Sequence, residues 1–416
     1  MGIMEDENIR QACMIIALQE LRDSLEDNPD STTIPPIRQP RRELGESGAQ
    51  YIHRLLTETP TECQIQLRLD RHMFVQLVNL MIERDLLHDA KYVKVAEQVG
   101  ICLYILAKGV SYRDASDKFK HSISTICKYF NQVLEALVIL SFDIIRPHRD
   151  LSEVPPEVAN NTKYRPYFKD AIGALDGTLI DAIVSDTNGV PFRDRHGRKS
   201  WNVLACCSFD RIYTFINVGW EGSVHDTTVW KDSLGDPKFN FPHPPPGKFY
   251  LADSAYPNTL GYMTPFFGGV RIHMPDFRIL PPRGLKEHFN KLHSSLKMKM
   301  ECSFGQLKKM WRILHNMPQV SQKIQMSIII ATCTLHNFIR MHKLGIPIIQ
   351  HDASIGVADS TMYAQWRKKS MAKVRHRIAR RIWRANRSES DNVGDDNDYQ
   401  DDSEDDENED HMEVDG

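Results

Sequence analysis

Three acidic side chains interrupt hydrophobic segments in which a charge is costly. Asp176 lies in the middle of AIGALDGTLIDAIV, Asp253 follows the apolar run FYLA, and Glu301 borders the apolar stripe of a long predicted helix. Burying an unpaired carboxylate is expensive, so each of these acids needs a compensating partner. A shared divalent cation would serve all three, because carboxylate oxygens are the ligands that Mg²⁺ and Mn²⁺ prefer.

The chemistry that such a site performs is cleavage or transfer of phosphodiesters. Two ions about 4 Å apart bracket the phosphate, one activating the attacking oxygen and the other stabilising the leaving oxygen. Taken singly, each acid also has an ordinary explanation. Asp176 before a glycine is typical of a strand bend, Asp253 is typical of a turn, and Glu301 is typical of the border of an amphipathic helix.

Hydrophobic patterns predict the elements that position these acids. Three β-rich runs at 170–184, 200–210 and 212–220 are separated by polar, glycine-containing loops and predict hairpin-linked strands. A helix near 225, the strand that ends at Asp253 and two long helices complete the order. This order predicts an α/β domain with a mixed sheet and flanking helices over residues 164–345.

A helical block precedes the predicted sheet, at residues 49–145. The sequence predicts a helix ending at Gly109, a short helix capped by Ser111 and a third helix capped by Ser122 or Ser124. This spacing is typical of a helix-turn-helix, in which the last helix enters the DNA major groove, and equally of a plain three-helix bundle. The cations Lys120 and Lys128 near the turn favour phosphate contact.

Charge is divided unevenly along the 416 residues, whose formal net charge is −3. Residues 388–416 hold 15 Asp and Glu and no Lys or Arg, whereas residues 366–387 hold ten Lys and Arg at helical spacing. The basic segment is typical either of a solvated amphipathic helix or of a nuclear-import or nucleic-acid role. The eight cysteines form no CxxC pair, and the apolar runs are too short for a bilayer, so we expect no zinc module, no disulfide framework and no membrane partner.

The predicted division of the chain has five parts. These are an N-terminal helix and flexible linker (1–48), a helical domain (49–145), the α/β domain (164–345), a basic C-terminal helix (346–387) and a disordered acidic tail (388–416).

Four blocks of the chain resemble the PIF/Harbinger transposases and their host-derived relatives. The blocks are GALDGTLIDA, then PFRDRHGRKSWNVLACCSFDRIYTFINVGWEGSVHDTTVW, then YLADSAYPNTLGYMTPF, and then EHFNKLHSSLKMKMECSFGQLKKMWRIL. They occur in the order and spacing of that family. The resemblance implies an RNase H-like fold with a catalytic triad of Asp176, Asp253 and Glu301 that holds two Mg²⁺ or Mn²⁺ ions. It also implies that Asp226 is a fourth metal ligand, although His225-Asp226 equally suits a helix start.

The same blocks supply candidate DNA-binding cations. These are Arg193, Arg195, Arg198 and Lys199 on the loop between the first two strands, and His293, Lys297 and Lys308 on the long helix near Glu301. The resemblance implies a nuclear, metal-dependent DNA endonuclease with a Myb-like accessory protein as partner. The alternative is a domesticated relative of the plant antagonist-of-like-heterochromatin-protein group, catalytically silent and acting as an adaptor for chromatin proteins.

Overall fold

The computed structural model of the protein describes residues 45–58, 61–350 and 370–390. The predicted N-terminal helix, most of the predicted linker, the segment 351–369 and the acidic residues from 391 onward lie outside the described residues. Two parts of the chain therefore carry the structure: a helical part that precedes residue 170 and an α/β part that follows it.

The helical part begins with short helices and ends with a long one. Its helices are α1 (Gly48–Thr57), α2 (Glu62–Leu67), α3 (Arg71–Glu83), α4 (Val95–Lys108), α5 (Tyr112–Phe119), α6 (Ile123–Ile144), α7 (Pro156–Ala159) and α8 (Arg165–Phe168). The predicted boundaries are confirmed: α4 ends at Gly109 in a left-handed conformation (φ 64°), and the Ser111 and Ser122 hydroxyls accept hydrogen bonds from backbone N–H groups of the next turn.

Helix α6 is long and apolar enough to cross a membrane, by length and composition alone. In the fold it packs along a second long helix, α12 (Gln322–Leu344), of the α/β part. Its side chains Phe130, Val133, Leu137 and Leu140 are buried in the main core. The apolar sequence of α6 is thus used to join the two parts of the chain.

Five strands form one mixed sheet. They are β1 (Ala171–Asp181), β2 (Ser200–Cys207), β3 (Tyr213–Glu221), β4 (Phe249–Leu251) and β5 (Tyr262–Met263). Their spatial order is β3-β2-β1-β4-β5, with β1, β2 and β3 antiparallel and with β4 and β5 running parallel to β1. This mixed α/β arrangement is consistent with an RNase H-like fold. Strand β5 has only two residues, too few for a period-two pattern to reveal it in the sequence.

Helices cover both faces of the sheet. Helix α9 (Asp226–Gly235) packs its Trp230 into a smaller core on one face, while α11 (Gly284–Met310) and α12 cover the other face. Short helical turns lie at Pro237–Phe239 and Arg312–Leu314, and α10 (Met274–Ile279) lies in the loop before α11. The basic C-terminal helix, α13 (Ala372–Ser390), packs on α11 with Ile378 and Ile382 buried, because its apolar residues share one face.

Candidate functional site

The first two predicted catalytic acids come from neighbouring parallel strands. Ala174 of β1 is paired with Leu251 of β4. Counting two residues further along each strand reaches Asp176 on β1 and Asp253, which follows the end of β4. Parallel strands keep the same direction, so the sheet brings the two carboxylates to one edge, the carboxyl edge of β4.

The third predicted acid approaches this edge from helix α11. Glu301 lies one helical turn after Lys297, so the two side chains share a face of the helix. The Lys297 Nζ is 2.8 Å from Asp176 Oδ2 and 4.0 Å from Glu301 Oε1. Lys297 is almost fully buried, whereas 61% of the Glu301 side chain is exposed. One ammonium group therefore connects the strand acid to the helix acid.

The pKa values of the pair show that a negative field surrounds it. Burial raises the pKa of Asp176; the Lys297 ammonium opposes this rise, and the charges of Asp253 and Asp226 add to it. Burial alone would lower the pKa of Lys297, but its attraction to Asp176, Asp253 and Glu301 outweighs burial and raises this pKa. Lys297 is thus a charged lysine at neutral pH, facing all three predicted catalytic acids.

Asp226 reaches β1 from the opposite side of the strand. Gly177 faces the other way from Asp176, because side chains alternate along a strand. A Cβ atom on Gly177 would lie 2.4 Å from Asp226 Oδ1, so any other residue would force this carboxylate to shift. Asn202 Nδ2 donates to the same oxygen at 2.7 Å. Asp226 therefore influences Asp176 by its charge from the α9 side, and its first-turn position on α9 also fits the helix-start alternative.

Two structural features of this edge were not predicted from the sequence. One is the role of Lys297 as a counter-ion instead of a surface cation. The other is Tyr256, a buried side chain whose hydroxyl has no hydrogen-bond partner among the described residues. Burial and the charges of Asp226, Asp176 and Asp253 raise the pKa of Tyr256, which keeps the phenol protonated. Its position three residues after Asp253 was the available sequence signal.

The donor types at this edge suit a divalent cation. Asp176, Asp253 and Glu301 offer hard carboxylate oxygens, and a positive charge already stands among them in the form of the Lys297 ammonium. In the described part of the chain, no three His, Cys, Asp or Glu side chains are close enough to hold a metal ion as they stand. The residue types thus fit a cation, and the Lys297 ammonium supplies the positive charge between Asp176 and Glu301 in its place.

The predicted DNA-binding cations of the β1–β2 loop are mostly at the surface. Arg193, Arg195 and Arg198 are exposed on a tight turn that the Asp194 carboxylate holds by accepting backbone N–H bonds. This loop leaves the carboxyl end of β1. Lys199 differs, because its Nζ is bonded to Asp186 Oδ1 and to the Val184 carbonyl, both at 2.7 Å.

The cations predicted on α11 need correction. His293 is buried, its Nε2 donates to the Met263 carbonyl, and burial lowers its pKa to about 4, so it is neutral at pH 7 and out of reach of a DNA phosphate. Lys297 is buried against Asp176 and is equally withdrawn from the surface. Lys308 is half-buried and donates to Thr178 Oγ1 and the Leu179 carbonyl, which anchors α11 to β1. The error had one cause: helix spacing locates a face but does not show what covers it.

Lys120 and Lys128 of the helical part are exposed. Lys120 ends α5 in a left-handed conformation (φ 59°), and Lys128 lies on the second turn of α6 beside the Tyr129 ring. Both stand near the exposed start of α6, where Ser122 and Ser124 also face solvent.

Comparison with known families separates the same two parts of the chain. Residues 175–337 match the family model of the DDE superfamily endonucleases. This match supports a DDE superfamily endonuclease domain at these residues. Residues 45–139, which span α1 to most of α6, match a domain of unknown function (DUF8040). No curated protein and no solved structure matches the chain.

The match to the DDE superfamily endonucleases runs from Leu175 in β1 through most of α12, and so includes Asp176, Asp226, Asp253 and Glu301. It indicates a transposase-like nuclease whose substrate is DNA. Enzymes of this superfamily generally use divalent metals, in agreement with the donor types at the carboxyl edge of the sheet.

Proposed function

We propose that the protein is a Harbinger-type, metal-dependent DNA endonuclease that cuts or transfers phosphodiesters at the carboxyl edge of its sheet. The observation that carries the proposal is the single buried ammonium of Lys297, which has Asp176, Glu301 and Asp253 as its electrostatic neighbours. The fold has no structural need for a charged pair at this position, because a buried pair such as Asp176 and Lys297 is often no more stable than apolar side chains of similar volume. The convergence of three acids on one ammonium favours a functional site.

Asp176, Asp253 and Glu301 are proposed as the residues that hold the cation. Bound Mg²⁺ or Mn²⁺, two ions in the proposed mechanism, would lower the pKa of an attacking water and neutralise charge on the phosphate. Asp226 contributes negative charge from the far side of β1, and the protonated Tyr256 hydroxyl is available as a hydrogen-bond donor beside the acids.

Lys297 is proposed to keep the site assembled before a metal arrives. Its ammonium compensates the buried Asp176 carboxylate, which prevents the acids from repelling one another apart. A bound metal ion would take over the compensation of Asp176, and Glu301, 4.0 Å from the Lys297 Nζ, would remain as the partner of the ammonium.

DNA is proposed to lie along the carboxyl edge, contacted by Arg193, Arg195 and Arg198. Their exposure on a rigid turn at the end of β1 supports backbone contact at little ordering cost. The start of α6, with Lys120 and Lys128, is proposed as a second contact in the manner of a helix-turn-helix.

A plasmid-nicking assay tests the proposal. Supercoiled DNA is incubated with the full chain in Mg²⁺ or Mn²⁺, and the Asp253→Asn and Glu301→Gln variants should cut at least about a hundredfold more slowly, because each loses a proposed metal ligand. The matched control is Asp181→Asn, since Asp181 lies on β1 five residues beyond Asp176 and therefore on the other face. Undiminished cutting by Asp253→Asn would eliminate the proposed mechanism.

A second candidate function is a catalytically silent adaptor for chromatin proteins. The observation that favours it is again Lys297, which compensates Asp176 without any metal. Calorimetry with Mn²⁺ separates the two functions. The endonuclease should bind Mn²⁺ in a way that Asp176→Ala and Glu301→Ala abolish, whereas an adaptor should show no carboxylate-dependent binding.

The proposed cellular setting is the nucleus, with a Myb-like accessory protein that directs the endonuclease to its DNA. Recovery of the two proteins as one complex from nuclear extract, and its loss when the partner gene is deleted, would test this part of the proposal.

A further inference from the structure

A basic pocket lies at the edge of the sheet opposite the predicted catalytic acids. It is a cavity of about 440 Å³ that includes Asp170 just before β1, Lys248 and Phe249 at the start of β4, and Leu260 just before β5. The outer wall is the helix α13. Asp176 lies six positions after Asp170, which is about 20 Å along the strand at roughly 3.3 Å per residue. The pocket is therefore distinct from the proposed nuclease site.

Four cations and one carboxylate line this pocket. The cations are Lys169, Lys248, Arg377 and Arg381, and the carboxylate is Asp170. Lys248 is 3.4 Å from Asp170, whereas no ion pair engages Lys169, Arg377 or Arg381 within residues 45–58, 61–350 and 370–390. Arg377 and Arg381 are one turn apart on α13, so both extend from the same face. The pocket thus holds three uncompensated positive charges.

The positive face continues beyond the pocket along α13. Lys373 and Arg384 are exposed and, like Arg377 and Arg381, have no ion-pair partner among the described residues. The helix has no acidic residue before Glu389. Helix α13 is fixed to the domain by the buried side chains of Ile378 and Ile382, and Met371 is buried just before it, so these cations are presented on an ordered surface.

The chain itself supplies a matching polyanion. Residues 391–416 follow α13 directly and hold fourteen Asp and Glu with no Lys or Arg. From Arg377 to Ser390 the helix is about 20 Å long at roughly 1.5 Å per residue. Twenty-six residues extend up to about 85 Å at roughly 3.3 Å each, so the segment is long enough to reach both the pocket and the exposed cations of α13. Covalent attachment also gives it an effective concentration in the millimolar range (about 1 mM).

We infer that the pocket and the outward face of α13 form a polyanion-binding site whose resident occupant is the chain's own acidic segment, residues 391–416. The contact screens the positive charge of α13, and external DNA must displace the acidic segment before it can bind that face. A second polyanion, the DNA backbone, offers the same negative charge but has no attachment that keeps it at the site.

Carbodiimide coupling of the full chain tests this inference, because it joins only carboxylates and lysines that are in contact. At low salt, Asp and Glu of residues 391–416 should couple to Lys169, Lys248 and Lys373 at least about fivefold more often than to the exposed control lysines Lys91 and Lys343. Coupling should fall in 0.5 M NaCl, where the screening length is about 4 Å. Equal coupling to site and control lysines would overturn the inference.

The variant Arg377→Gln/Arg381→Gln tests the site separately from the segment. It should reduce coupling of the acidic segment to Lys169 and Lys248 at least about threefold, because two of the three uncompensated charges are removed. The matched control, Lys91→Gln/Lys343→Gln, removes the same charge elsewhere and should leave that coupling unchanged. An unchanged coupling pattern in the arginine variant contradicts the inference.

DNA binding gives an independent measurement. Replacing the acidic residues of 391–416 by Asn and Gln should strengthen binding of a nonspecific duplex about tenfold in 50 mM NaCl, and Arg377→Gln/Arg381→Gln should cancel this gain. If duplex DNA shields Lys169 and Lys248 from acetylation while the acidic segment never couples to them, the occupant is DNA and the inference is wrong. Nicking activity is not used, so a failed nuclease proposal leaves the test intact.

Discussion

The two edges of the sheet are opposite in charge and in their exposure to solvent. At the carboxyl edge several acids surround one lysine, and that lysine is buried. At the opposite edge, where β1 and β4 begin (the amino edge), four cations surround one carboxylate in the basic pocket, and the arginines of α13 are exposed. At the carboxyl edge, charges have large effects on stability because water is excluded. At the amino edge, their effects are small because water and salt screen them. Burial, more than the number of charges, therefore decides how much the charges of each edge contribute to the stability of the fold.

Of all the proposed substitutions, removal of Lys297 should lower the free energy of unfolding the most. Lys297→Met leaves the Asp176 carboxylate buried and uncompensated, so we expect a loss of about 3 to 5 kcal/mol in the free energy of unfolding. Chemical denaturation measures it. The double variant Lys297→Met/Asp176→Asn should recover most of the loss, because it removes the stranded charge. No recovery would show that Lys297 acts through packing of its stem alone.

The second-largest effect on stability is expected from acidification, through the buried His293 near the carboxyl edge. His293 has a pKa of about 4 in the fold and about 6.5 when unfolded, so its neutral form stabilises the fold fully above pH 6.5 and protonation favours unfolding below it. Between pH 7 and pH 5 we expect a loss of about 2 kcal/mol from this group. His293→Gln should show a shallower dependence of unfolding free energy on pH, and an identical slope would contradict the assignment.

A methyl group on β1 should have an intermediate effect. Gly177→Ala forces the Asp226 carboxylate away from its hydrogen bond with Asn202, which we expect to cost about 1 to 2 kcal/mol because the side chain can turn aside. Nicking should slow as well. Gly305→Ala is the matched control: nothing lies within 4 Å of the new Cβ, and alanine in helix α11 should stabilise by about 0.5 to 1 kcal/mol.

The smallest effect on stability is expected at the amino edge. Arg377→Gln/Arg381→Gln should change the unfolding free energy by less than about 0.5 kcal/mol, because both side chains are exposed and unpaired. Comparing this change in unfolding free energy with that of Lys297→Met measures most directly how differently charges act on stability at the two edges. A loss comparable with that of Lys297→Met would show that the arginines are structural.

Sequence alone determined the local elements and the identity of the acids. Caps at Gly109, Ser111 and Ser122 defined the helices, since capping depends on neighbouring residues only. β-Rich runs located the three long strands, and apolar residues at helical spacing located the long helices. Asp176 and Asp253 attracted notice because each interrupts an apolar segment. The two-residue β5 was beyond this reasoning, because its existence depends on pairing with β4.

Only the tertiary structure decided which cations are at the surface. The sequence predicts Lys297, His293 and Arg193 alike as DNA-binding cations. In the structure Lys297 neutralises a buried acid, His293 is a neutral buried ring, and Arg193 is exposed. The tertiary structure also brought Lys169, Lys248 and the α13 arginines around one pocket. The physical reason is that the solvation of a charge is set by residues far away in the chain, which a local pattern does not contain.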